Sequence, residues 1–64
     1  MAMSAAAEFE AQIDGVQVKG WVAKDGSSYR AYGDFRGERI DVRSTTQSRA
    51  ESMWRERANH KANE

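Results

Sequence analysis

Cysteine and proline are both missing from this 64-residue chain, and histidine occurs once. Without cysteine there is no disulfide framework and no thiolate metal set. His60 has neither a second histidine nor a cysteine to join it in a tetrahedral metal site, so it reads as a surface residue. Long apolar runs are missing too. Nothing in the sequence is long enough to cross a bilayer, and the opening Met1-Ala2-Met3-Ser4-Ala5-Ala6-Ala7 lacks the basic start of a secretory signal. A cysteine-free chain fits a reducing compartment, and the cytoplasm is the expected location. Net charge is absent as well, ten basic residues balancing ten acidic ones. The whole chain therefore has no general attraction for nucleic acid or anionic membrane. Its weak colloidal repulsion leaves self-association open.

The residues that could do chemistry are spoken for by structure. Asp14 and Asp25 stand beside glycines as turn formers. Ser27-Ser28 and Ser44-Thr45-Thr46 fall at a turn and at a helix cap, with no histidine base in reach by sequence. No glycine-rich phosphate loop runs from a strand into a helix. No acid–base or nucleophile pair stands out, so the expectation is a non-enzymatic chain without a cofactor or metal.

What is present is a regular alternation of short runs and glycine turns. Asp14-Gly15 and Asp25-Gly26 are strong hairpin signals, because a type I′ turn needs positive φ at both central residues. Arg36-Gly37 is a weaker third. The runs between them, Glu8–Ile13, Val16–Lys24, Ser27–Phe35 and Glu38–Arg43, are rich in β-branched and aromatic residues. Two-residue turns at these sites set Ile13 against Val16, Phe9 against Gly20, Val22 against Tyr29, Val16 against Phe35, and Gly33 against Ile40. All three hairpins then send apolar and small residues to one face, and a one-residue slip would turn a strand inside out. Gly20, Ala31, Ala11 and Gly33 form a trough on that face, ringed by larger apolar side chains.

A helix to fill the trough follows. Ser44-Thr45-Thr46-Gln47 reads as a capping box with Ser44 as N-cap. Ala50, Met53, Trp54 and Ala58 then recur at helical spacing, with Glu51 and Arg55 as an i,i+4 pair. The fold class expected is α+β, a four-stranded antiparallel meander with one C-terminal helix on one face (ββββα). The domain is expected over residues 8–59, with a disordered leader at 1–7 and a frayed tail at 60–64.

The other sheet face is the candidate binding surface. Its rows are expected to read Glu8, Trp21, Arg30, Arg43; then Glu10, Lys19, Tyr32, Asp41; then Gln12, Gln17, Asp34, Arg39. Trp21 beside Arg30 and Tyr32 beside Lys19 would stack cation on ring. Glu10–Lys19 and Asp34–Arg39 would pair as ions. Such pairs support a solvated face as readily as a binding one. Aromatic and arginine side chains together are nevertheless what interface centres and nucleic-acid platforms use.

The text Trp21-Val22-Ala23-Lys24-Asp25-Gly26, Tyr29-Arg30-Ala31-Tyr32 and Arg36-Gly37-Glu38-Arg39-Ile40, followed by a helix with Ala50-Glu51 and Trp54-Arg55, resembles a known family. It is similar to the arm-type, AP2-like N-terminal DNA-binding domain of tyrosine recombinases, over about Gly20 to Asn59. In that family three strands pack on a helix, and the open sheet face enters the major groove of DNA. The resemblance implies a mobile-element or phage setting, with Lys19, Trp21, Arg30, Tyr32, Arg39 and Arg43 facing double-stranded DNA. This chain departs from the family in its extra acidic first strand, its zero net charge, and the lack of catalytic domains after the helix. Two partner classes follow: duplex DNA first, and alternatively a protein partner or a homodimer on the Trp21/Tyr32 face.

Overall fold

The chain forms β1 (Ala7–Ile13), β2 (Val16–Asp25), β3 (Ser28–Phe35), β4 (Glu38–Ser44) and α1 (Gln47–Ala62). The computed structural model describes residues 6–63. The four strands make one antiparallel sheet in the order β1-β2-β3-β4, and the helix packs on one of its faces. This is the α+β meander expected. Residues 1–5 of the expected leader lie outside the described part. Ala7 already belongs to β1, and α1 continues to Ala62, past the expected end near Asn59.

Two hairpins keep the expected register, Ile13 opposite Val16 and Gly33 opposite Ile40. Their turns carry positive φ at both central residues, Asp14 and Gly15 in one, Arg36 and Gly37 in the other. The middle hairpin differs. Its turn is Gly26-Ser27, with positive φ at Gly26 alone, the pattern of a II′ rather than a I′ turn. Asp25 pairs with Ser28 and Val22 with Ala31, not with Tyr29. The pairing thus moves by two residues. Because side chains alternate with period two, every residue keeps its face.

The core repeats the trough motif in three dimensions. Phe9, Ala11, Ile13, Val22, Ala31, Phe35, Ile40 and Val42 of the sheet meet Ala50, Trp54 and Ala58 of the helix, all buried. Trp54 is fully buried, stands edge-on to Phe9 with ring centroids 5.6 Å apart, and donates from Nε1 to the Ile40 carbonyl at 3.1 Å. That bond satisfies the one polar atom of the indole, so its whole apolar surface is buried without a polar penalty. The ring needs a side-chain-free floor. A Cβ on Gly33 would lie 3.1 Å from Trp54 Cζ2 and 3.0 Å from the Lys19 carbonyl oxygen.

The helix begins two residues later than the capping-box reading placed it. Thr46 is the N-cap, its hydroxyl accepting from Arg49 N at 3.1 Å. Ser44 instead extends β4 and pairs with Tyr29. Gln47 is therefore the first helical residue and cannot reach back as a capping-box partner; it hydrogen-bonds Glu51. Met53, expected on the apolar stripe, is exposed. The buried stripe is narrow, with Ala50, Trp54 and Ala58 each four residues apart.

Candidate functional site

The open face is built by the odd-versus-even alternation of all four strands, which sends Lys19, Trp21, Arg30, Tyr32, Arg39 and Arg43 away from the helix. The two-residue shift of the middle hairpin changes which of them are neighbours. Trp21 lies opposite Tyr32, not Arg30. Their rings are near-parallel, 21° between planes and 6.4 Å between centroids. Arg39 and Arg30 stand 5.2 Å and 5.8 Å from the Tyr32 ring centre. Tyr32 is thus the hub, with an indole on one side and two guanidinium groups around it. The shift also corrects the first row to Glu8, Trp21, Tyr32, Asp41, and it sets the pairs Glu10–Lys19 and Asp34–Arg39 at one level on the two sides of the point where the β2–β3 ladder has ended.

The cations of this face are mostly held by acids of the same chain. Arg30 binds both carboxylate oxygens of Asp41 through Nε and Nη2, at 2.6–3.2 Å. Arg43 reaches Asp25 at 2.9 Å, and Lys19 reaches diagonally to Glu8 at 3.4 Å rather than straight across to Glu10. These contacts solve a local problem, since Arg30 and Arg43 are direct cross-strand neighbours and would repel. The hydrogen bonds from Arg30 hold the Asp41 carboxyl below its ordinary value. The same pairing raises the Arg30 guanidinium. Arg39 has no acid partner, and neither Glu10 nor Asp34 has a base, among the described residues. Glu10 accepts instead from the Gln17 amide. The Asp34–Arg39 ion pair expected from the sequence does not form, although the two are in register.

Sequence reasoning missed one feature of this site. The β2–β3 ladder ends at Trp21 and Tyr32, with five pairs against seven in each neighbouring ladder. Beyond it the strands part, and a cleft opens between Val16–Lys19 and Asp34–Arg36, floored by Ile13 and Phe35. Val16, expected in the core against Phe35, is 57% exposed as a result. Arg36 closes the far end by contacting Asp14 at 3.4 Å and the Ala62 carbonyl at 3.5 Å. The signal for the cleft was the Gly20/Gly33 pair, where the backbones approach closely and the strands can then diverge.

Comparison with protein-family models, curated proteins and solved structures gives no match. The chemistry of the face is therefore read from its geometry alone. Among the described residues no group of three or more His, Asp or Glu is arranged to hold a metal ion, and no helix is long and apolar enough to cross a membrane. What the face offers is a stacked aromatic pair, an apolar cleft beside it, and a rim of charges mostly neutralised in pairs.

Proposed function

We propose that this chain is a small non-enzymatic binding module whose open sheet face docks a protein partner, with Trp21 and Tyr32 as its anchors. One observation carries the reading. Three of the four cations expected to face a partner, Lys19, Arg30 and Arg43, are ion-paired within the chain. Phosphate binding would have to compete with those pairs, whereas a protein interface uses paired rim charges to exclude water around an aromatic centre. Duplex DNA is the second reading. It is favoured by Arg39, which leans on Tyr32 and makes no ion pair among the described residues, in the arrangement that also serves base or phosphate contact.

A photoreactive side chain at Lys19, on the face, and another at Ser52, on the exposed side of the helix, test this in the producing cells. Face-specific protein adducts are expected from position 19 and not from position 52. Equal adducts at both, or none at either, count against docking. Amide shift changes on the sheet face with a duplex at about 50 mM salt, where phosphate contacts are strongest, would move the assignment to DNA.

A further inference from the structure

We infer that the partner of the sheet face is a second copy of this chain, the two copies packing face to face about a twofold axis that runs parallel to the strands above the gap between β2 and β3. This rests on the docking reading and names its partner. The argument comes from the order of charges across one row. Glu10 lies opposite Lys19 on β1 and β2, and Asp34 opposite Arg39 on β3 and β4; counting on from Trp21 opposite Tyr32 puts these two pairs at one level on either side of the cleft. A twofold axis along the strands lays β1 over the partner's β4 and β2 over the partner's β3. It keeps each row over itself, because the operation does not shift anything along the axis.

The row then becomes self-complementary at every position. Glu10 meets Arg39 of the other copy, and Lys19 meets Asp34. Glu10, Asp34 and Arg39 are the charges of this face that make no ion pair among the described residues, and the operation gives each of them one. In the next row Trp21 lies over Tyr32 of the other copy and Tyr32 over its Trp21. That makes a four-ring cluster on the axis from two pairs already stacked at 6.4 Å. The same row brings Glu8 toward the other Asp41; Arg30 holds that Asp41, and Lys19 is shared between its own Glu8 and the other copy's Asp34. The open-face edge of the cleft, at Gln17, Lys19 and Asp34 beside Trp21, lies under the axis, so each copy covers that edge of the other. A twofold axis across the strands would instead lay each strand over its own copy, so Glu10 on β1 could not meet Arg39 on β4. The charge order selects the first arrangement.

Size sets the strength. Four strands spaced about 4.8 Å, over about seven residues of roughly 3.3 Å, present on the order of 440 Å² per copy. The pair buries roughly twice that, below the about 1,200 Å² at which standard specific interfaces begin and in the range of weak, transient contacts. The dimer is accordingly weak, dissociating in roughly the tens to hundreds of micromolar. Zero net charge removes the long-range repulsion that would oppose it.

Sedimentation equilibrium from about 10 µM to about 1 mM tests the arrangement, with a dispersed amide spectrum confirming that each variant is folded. The wild-type chain is expected to dimerise. Glu10→Arg and Arg39→Glu should each weaken the dimer about tenfold, because each change acts twice in a symmetric pair. The combined Glu10→Arg, Arg39→Glu chain should recover most of the loss. Trp21→Ala should cost roughly thirtyfold. A wild-type chain that stays monomeric to about 1 mM overturns the homodimer, and so does a double reversal no stronger than the single ones. The in-cell adducts separate this from the docking reading. A position-19 adduct of twice the chain mass supports both, an adduct of another mass overturns the homodimer alone, and no face-specific adduct overturns both.

Discussion

The two faces of this sheet carry similar numbers of large side chains and use them in opposite ways. On the helix side, Trp54 is enclosed, its indole N–H satisfied by Ile40 and its ring seated on Gly33. On the open side, Trp21 is 36% exposed, its ring resting on Tyr32 and its edge bordering a cleft. Among the described residues the covered face buries no polar group of a side chain beyond the Trp54 indole N–H, whereas the open face is bound together by ion pairs at 2.6–3.4 Å. Burial of apolar area grows with the area removed from water, so the covered face carries the stability of the fold. Exposed ion pairs are worth about 0–1 kcal/mol each, so the open face can be rearranged by a partner at little cost.

Truncating the covered indole should give the largest effect. Trp54→Ala leaves a cavity and orphans the Ile40 carbonyl, and should cost about 3–5 kcal/mol. For a domain this small that is enough to unfold much of the population at room temperature. Denaturant melting and amide dispersion would read it, and a chain whose midpoint hardly moves would break the assignment of stability to that face.

Adding a single methyl under the same ring should come next. Gly33→Ala places a carbon against the Lys19 carbonyl and the Trp54 ring, neither of which is a flexible end, at a cost of about 1–3 kcal/mol. A Gly33→Ala cost that shrinks when measured in a Trp54→Phe background, relative to Trp54→Phe alone, would show that the clash is with the indole. An unchanged cost would place it on the Lys19 backbone, at the point where the β2–β3 ladder gives way.

On the open face the same chemistry should matter less. Trp21→Ala should cost about 0.5–1.5 kcal/mol, the worth of an aromatic pair, because little buried area is lost. In dilute solution a neutral quencher should reach Trp21 readily and Trp54 hardly at all, measured in chains with phenylalanine at the other position. Equal shielding of the two in the monomer would erase the difference between the faces.

The smallest effect expected is a pH dependence at Asp41. Its carboxyl titrates below its ordinary value because Arg30 donates to it, so the folded chain takes up that proton less readily than the unfolded one. The resulting stabilisation is fully present above the ordinary carboxylate range and is lost as pH falls through the lower folded value. A carbon-detected titration should place the Asp41 midpoint low, and Arg30→Gln should bring it back up. An Asp41 midpoint unaffected by Arg30→Gln would mean that the bidentate pair does not persist in solution.

Much of this architecture was readable from residue order, and the part that was not has a common cause. Ile13 against Val16 and Gly33 against Ile40 follow from I′ turns whose residues announce themselves. The middle turn offered two glycine-compatible solutions, Asp25-Gly26 and Gly26-Ser27, which differ by two residues of pairing. Local pattern does not separate them, because both keep every side chain on the same face. The observed register brings Gly20 beside Gly33 and so makes one floor for the rings of Phe9 and Trp54. It also brings Trp21 beside Tyr32, which changed the candidate site from cation-on-ring pairs into a stacked aromatic centre.

Residue order by itself determined which side of the sheet each strand residue occupies, that a helix bearing Trp54 covers one side, and that Lys19, Trp21, Arg30, Tyr32, Arg39 and Arg43 lie on the other. Alternation with period two and helical spacing are local properties, so no distant contact is needed to read them. Only the tertiary structure decided the middle register, the N-cap at Thr46, the opening between β2 and β3, and which acid holds each base. Those outcomes depend on how a large ring fills a shared space and on distances across strands, which are set when the sheet and the helix close on each other.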